Sequence, residues 1–522
     1  LAVTPQGRPV TNRLQEMGET TCKKINTLYR RVKADRGIHM IARRGGYLKI
    51  LSNEEIYDIH VSTLDVLEHT GVRVELEGAL KLLDKMGAVV DFKTKGIRIG
   101  ADLVNEALRK TPPSFILHAR NPKFNLRIEN DRVYFLDGGL PTRVIDLDGK
   151  RRPATMRDVA DLTRLYDALE YIDMTGSGVF PTDIPEPIHH VHAYLTKLEN
   201  TDKVAFYSYY ARGRLVAQDL IRMGSVVAGG LEQLRKKPVI MGWENPISPL
   251  SHGKAQTEMV LEFARLGLPI HIGPAIQAGA TGPISLAGVL VQQNAEVLSG
   301  IVIAQSAAEP GKRPPIVYGA VPALTDMHYG TMVYGAAEVA LMNVASVQLA
   351  RHYGLVCRGN GGTTESKIVD AQAGYESAIT LLMNALGGAN IIVNAAGGSL
   401  EPGVGAMSFE KAVIDNDVAG MASRILEGID VSDETLAVKV MGSVGPGGHY
   451  LAHKHTRELF AKEHFVPKVS DRRDHGSWVK AGAKDIREVA RDKAKQILKE
   501  HYAEPLDRTV REELLKIVKD VE

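Results

Sequence analysis

Cysteine is nearly missing from this chain: Cys22 and Cys357 are the only two in 522 residues, far apart in sequence. A disulfide framework is therefore excluded as the source of stability, and a reducing, cytoplasmic setting is the expectation. Charge of one sign is missing as well. A net charge of +2 gives no electrostatic pull toward nucleic acid or an anionic membrane. No unbroken apolar run reaches the ~18 residues that a spanning helix needs. The longest candidate, 286–308, is broken by Gln292, Gln293, Asn294 and Glu296. No signal-peptide pattern opens the sequence. Tryptophan is scarce, with two in the chain, so Trp243 at a predicted strand end stands out.

What is present is a globular composition, 44% hydrophobic and 24% charged, with ample core. Residues 1–48 read as a basic arm, with Arg and Lys concentrated over 30–44. Residues 49–130 mix helical periodicity at 54–69 and 76–86 with short alternation at 88–99, which predicts an α+β cap. Over 131–430 short apolar runs alternate with long helical patterns, among them 157–170, 213–227, 255–266, 287–308, 336–352, 370–386 and 409–427. Candidate strands are 144–147, 172–176, 204–209, 239–243, 270–273, 316–319, 355–358 and 391–394. Eight such units predict an α/β protein with a parallel sheet and crossover helices. The simplest closure is a (β/α)8 TIM barrel, with an open doubly wound sheet as the alternative. Residues 431–522 predict a C-terminal helical extension.

A barrel gathers its chemistry at the C-terminal strand ends. Those ends hold Tyr207, Tyr209, Tyr210, Trp243, Glu244, Asn245, Gln277, Tyr318, Arg358 and Asn394. Aromatic faces attract quaternary ammonium groups through the ring quadrupole, roughly 0.5–2 kcal/mol per contact. Arg358 suits a carboxylate. Together they point to a zwitterion with Tyr209, Trp243, Gln277, Tyr318 and Arg358 as substrate contacts. The bland alternative is ordinary half-buried packing. Glu296, on an otherwise apolar helix, is either a counter-charge to the bound cation or a structural ion-pair partner. The glycine loop Asn394–Gly405, containing Gly397 and Gly398, would take a phosphate or a bulky cofactor ring. His449 and His453 share the i, i+4 spacing of a metal pair, but no third ligand accompanies them and no tightly bound metal is expected.

Six further segments carry a resemblance. They are ISPL at 247–250, LAGVLVQQNAEVLSGIVIAQ at 286–305, SKIVDAQAGYE at 366–376, FEKAVIDND at 409–417, GPGGHYLAHKHT at 445–456 and AGAKD at 481–485. From about residue 50 onward the chain resembles the trimethylamine methyltransferase (MttB-like) family.

The resemblance implies a (β/α)8 barrel that moves a methyl group from an amine to Co(I) of a corrinoid (cobalamin) carried by a partner protein. Founding members hold pyrrolysine in the loop after the strand that here contains Arg358. Matching YGLVCRGNGGTTESK to that pattern puts Gly362 in the pyrrolysine slot. The chain is thus similar to the non-pyrrolysine branch, whose members demethylate quaternary amines such as glycine betaine. The change is chemically coherent. A quaternary ammonium leaves as a neutral tertiary amine and needs no further activation, whereas unprotonated trimethylamine would leave as an anion. The corrinoid would approach near Asn394, Gly397 and Gly398, and near Gly447 and His449. A homo-oligomer is expected. The rival readings are a trimethylamine enzyme, a metal-using lyase or hydrolase, and a non-catalytic betaine-binding subunit.

Overall fold

The computed structural model describes residues 43–522 apart from Ser177, Ser208 and Tyr210. Most of the predicted basic arm, with Cys22, and the strand-end Tyr210 lie outside the described residues. These residues form two compact units, one of 43–426 with 469–522 and one of 427–468.

The first unit is mixed α/β. Eight short strands carry its centre: β1 (Tyr134–Phe135), β2 (Met174–Thr175), β3 (Val204–Ala205), β4 (Gly242–Glu244), β5 (Ile270–Ile272), β6 (Ile316–Gly319), β7 (Val356–Asn360) and β8 (Ile391–Val393). Every recorded pairing among them is parallel. The ladder runs β4–β5–β6–β7–β8–β1. It continues from Leu136, just past β1, to β2 and from β2 to β3. Among the described residues no ladder pairing joins β3 to β4, so the recorded hydrogen-bonded ring is open at that seam. Burial explains the composition of the strands. β4, β5, β6, β7 and β8 are buried along their whole length, which is why they read as continuous apolar runs rather than alternation.

Each strand is followed by a helix: α1 (Met156–Ala168), α2 (His189–Asn200), α3 (Arg214–Ala228), α4 (Lys254–Leu266), α5 (Leu286–Ala307), α6 (Ala337–His352), α7 (Ala371–Gly387) and α8 (Phe409–Leu426). Local chemistry sets their ends. Thr155 and Asp158 form a capping box at α1, and Asp370 caps α7 through the Ala373 N–H. Gly229, Gly267 and Gly388 close α3, α4 and α7 in the left-handed conformation.

One predicted strand is displaced. The run at 144–147 is not the first strand of the central array. Arg143–Ile145 instead forms a hairpin with Arg151–Pro153 around Gly149 (φ 78°) and pairs with Ala406–Ser408 in a separate sheet. The array starts at Tyr134–Phe135, too short a run to carry its own periodicity signal.

The region 49–130 holds three helices and a small sheet whose edge strand, Ser251–His252, comes from the segment after β4. Its helices Asn53–Asp65, Glu77–Lys85 and Ala101–Lys110 pack on α5. Covered on both sides, α5 is buried almost all round. It is long and apolar enough to cross a membrane, yet 78% of its most apolar window is buried in the protein. At the other end, Ile486–Glu500 packs on α8 and α1, and Arg508–Val521 on α3 and α2.

Candidate active site

A cavity of about 420 Å³ opens among the C-terminal ends of the strands. Its wall includes Phe180, Phe206, Tyr209, Trp243 and Tyr334, with Asn245, Arg358, Asn360 and Asn394 as polar groups. The size is ordinary for a small-molecule site.

The aromatic part follows from strand order. Phe206 follows β3 directly, Trp243 lies on β4 and His271 on β5, and Trp243 and His271 are direct partners in the ladder. The Trp243 ring stacks on His271 at 3.9 Å between centroids and on Phe206 at 5.6 Å. Its two strand neighbours therefore bracket it, and the β3–β4 seam is bridged by rings instead of backbone bonds. Phe180 and Tyr209 add a second group around the buried His189, which is 4.4 Å from Phe180 and 4.2 Å from Tyr209. The Tyr209 hydroxyl donates to Glu186.

The charge is equally specific. Arg358 is 5% exposed and sits 5.8 Å from the Trp243 ring centre. Its Nη1 donates to the Ala320 carbonyl at 2.9 Å, and its Nε has no partner. Burial pushes its guanidinium down to about 10. Among the described residues no carboxylate pairs with it, and no other charged side chain lines the cavity. A buried cation without a counter-ion is costly unless a ligand supplies the negative charge. His271 is fully buried and both ring nitrogens lack partners; burial, and then the nearby Arg358, hold it well below the usual imidazole range.

A family model described as trimethylamine methyltransferase (MTTB) matches residues 22–520. A glycine betaine methyltransferase of Desulfitobacterium hafniense (strain Y51) is 36% identical over 88% of this chain and 94% of its own length. Trimethylamine methyltransferases of D. hafniense (strain DSM 10664 / DCB-2) and Methanosarcina thermophila are 37% and 36% identical, covering 92% and 89% of this chain and 96% of each relative. The chain belongs to the trimethylamine methyltransferase family. A solved monomethylamine methyltransferase of Methanosarcina barkeri matches 92% of this chain and 94% of that chain at 10% identity, with a TM-score of 0.49.

The residues expected at the site land in three different places. Tyr209, Trp243, Arg358 and Asn394 line the cavity. Tyr318, Gln277, Glu296, Gly362, Gly397 and Gly398 do not. Tyr318 is fully buried and donates to Asn294 Oδ1 on α5. Gln277 starts a short strand, Gln277–Ala278, of a separate three-stranded sheet. Glu296 accepts from Ser248 Oγ at 2.7 Å, the Leu250 N–H at 2.8 Å and Gln292 Nε2 at 2.9 Å. It therefore holds the turn after β4 against α5, and burial pushes its carboxyl up. It is not placed to balance a bound cation.

Gly362, which the resemblance matched to the pyrrolysine position, has φ 74°. A methyl group there would run into the carbonyl oxygen of Asn394, so only glycine fits this backbone. Its carbonyl accepts from Lys411 Nζ at 3.1 Å, and Lys411 in turn pairs with the buried Asp415 at 2.7 Å. Gly397 packs against the Gly138 backbone, and the Gly398 N–H donates to Asp415 Oδ2. In the loop after β8 it is Asn394, Gly403 and Val404 that reach the cavity. Gly447 and His449 lie in the separate unit of 427–468, where His453 caps the helix Lys454–Glu463 and His449 sits in the turn before it.

Sequence reasoning passed over Phe180, Phe206, His271, Tyr334 and Asn360. Asn360, two residues beyond Arg358 on a strand, carried a usable signal, because residues two apart share a face. Phe180, in an irregular segment, carried none.

Proposed function

We propose that this protein transfers a methyl group from a zwitterionic quaternary ammonium acid, of the glycine betaine kind, to Co(I) of a corrinoid held by a partner protein. The observation that carries the reading is the buried Arg358 in an aromatic cavity with no lining carboxylate among the described residues. A simple quaternary cation entering there would meet a positive charge and no counter-ion. A zwitterion brings its own carboxylate to Arg358 through charge-assisted hydrogen bonds. Its ammonium then lies against the ring faces that line the cavity, those of Phe206, Phe180 and Tyr209 among them. Trimethylamine offers Arg358 nothing.

The chemistry asks little else of the protein. The methyl carbon–nitrogen bond breaks with its electron pair kept by nitrogen, and a neutral tertiary amine leaves. The methyl group passes to the reduced cobalt, which supplies the pair for the new bond. The chain's own residues orient the methyl group and exclude water. Because the ammonium charge disappears along the reaction, soft ring contacts are preferable to a fixed carboxylate, which would over-stabilise the substrate. The absence of acidic lining residues fits that requirement. The cavity segments Gly138–Leu140 and Gly403–Val404, beyond β1 and β8, expose main chain and small apolar side chains, a surface suited to a flat macrocycle. The eight strands are read as a (β/α)8 barrel whose seam is closed by the Phe206–Trp243 contact.

The test is the spectrum of the reduced corrinoid mixed with the protein and single candidate amines. Loss of the Co(I) bands is expected with a carboxylate-bearing quaternary amine, and neither with choline nor with tetramethylammonium. Turnover with trimethylamine alone would overturn the proposal.

A further inference from the structure

β7 places two cavity residues on one face, Arg358 and Asn360. Asn360 is 1% exposed, and its backbone is held on both sides. Its N–H donates to Asn343 Oδ1 and its carbonyl accepts from Asn384 Nδ2, both at 2.9 Å. Its side-chain nitrogen, Nδ2, has no partner at all. A buried amide nitrogen without an acceptor is uncommon and asks for an explanation.

The direction of this amide does not depend on choosing oxygen from nitrogen by eye. The anchor is a backbone donor. The Gly139 N–H donates at 2.9 Å to Asn394 Oδ1, which also accepts from Ser399 Oγ at 3.0 Å. Asn394 must therefore turn its nitrogen the other way, and that nitrogen donates at 2.6 Å to Asn360 Oδ1. With Oδ1 taken, Asn360 has only Nδ2 to offer the cavity. Asn394 itself sits at φ 63°, a conformation that asparagine tolerates better than most side chains.

We propose that Asn360 Nδ2 and the Arg358 guanidinium together form a carboxylate subsite, with Asn394 as the positioning residue that keeps the Asn360 donor facing it. The subsite rests on the reading of the cavity as a betaine site and names which end of the ligand is selected and by what. Arg358 supplies the charge and Asn360 a second, neutral donor. The two unpartnered nitrogens on one wall are thereby satisfied by one ligand group.

Titration calorimetry with glycine betaine, tetramethylammonium and acetate, on wild type, Asn360→Asp and Asn394→Asp, tests this. Asn360→Asp replaces the donor by a negative charge beside the ligand carboxylate. It is expected to weaken glycine betaine by about 100-fold and to abolish acetate binding, while tetramethylammonium binds as well as before or better. Asn394→Asp keeps the shape and the turn but turns the donor to Asn360 into an acceptor. The Asn360 amide then rotates, and the same ligand selectivity is lost in weaker form. Equal weakening of all ligands by Asn360→Asp would make the residue structural and overturn the proposal, as would unchanged glycine betaine affinity. Wild type that binds acetate but neither ammonium compound leaves the subsite standing and removes the betaine reading. Wild type that binds tetramethylammonium but gains nothing from a carboxylate does the reverse.

Discussion

Trp243 and His271 face each other across β4 and β5 with their rings 3.9 Å apart, and the imidazole is buried with neither nitrogen bonded. Such a ring remains neutral only because ionising it would cost desolvation and would set it against Arg358. The sign of the consequence is fixed. The folded-state value lies below the ordinary 6.5, so the unfolded chain takes up the proton first. The contribution of His271 to stability is present above pH 6.5 and is lost progressively as the pH falls below it. In denaturant titrations between pH 7.5 and 5, His271→Gln is expected to show a flatter fall in stability than wild type. Parallel curves would mean that His271 does not titrate this way.

Arg358 should mark the alkaline limit of ligand binding. Burial draws its value down to about 10, so it holds its proton less firmly than an exposed arginine. Affinity for glycine betaine is expected to fall as the pH rises through 10, and Arg358→Met is expected to bind it weakly at every pH without that limb. Tetramethylammonium, which needs no carboxylate partner, should show the opposite trend. A glycine betaine affinity level from pH 8 to 11 would remove Arg358 from the ligand contacts.

Asp137 and Lys197 form a buried pair, 3.8 Å apart, behind the Gly176 segment of the cavity wall. Burial raises the Asp137 carboxyl to about 6, opposed by Lys197, and burial lowers Lys197. Removing one partner strands the other. Asp137→Asn and Lys197→Met are each expected to cost roughly 3–5 kcal/mol, and the double variant distinctly less than their sum. Additive losses in chemical denaturation would show that the two do not act as a pair.

Gly362→Ala is expected to destabilise the protein, by roughly 1–3 kcal/mol from backbone conformation alone and by more from the approach to Asn394. A thermal midpoint equal to wild type would show that this segment has freedom to move. Because Asn394 orients Asn360, the variant should also weaken glycine betaine more than tetramethylammonium.

Much of the order of elements was legible from periodicity. The helices α3 to α8 fall within a residue or two of their helical patterns, because each is long enough to carry the signal in its own residues. The first strand was misplaced at 144–147, since a hairpin with good local alternation outcompetes a two-residue strand whose partners lie far away in sequence. Of the residues read as contacts, Trp243, Arg358, Tyr209 and Asn394 line the cavity, because strand ends are predictable in an α/β array. Glu296 and Tyr318 misled, because a polar group on an apolar element reads the same whether it faces a ligand or another element. Only the partners decide, and theirs are Ser248, Leu250 and Asn294.

By itself, then, the sequence determined the parallel α/β order, the family and the presence of one arginine among aromatic strand ends. These properties are local or are carried by contiguous motifs. The tertiary structure alone decided which polar groups remain unpartnered at the cavity. It left Arg358 without a carboxylate, left the Asn360 nitrogen unpartnered through Asn394 and Gly139, and closed the space at Gly362. The physical reason is that satisfaction of a buried donor depends on atoms contributed from strands tens to hundreds of residues apart, and these meet only when the array assembles.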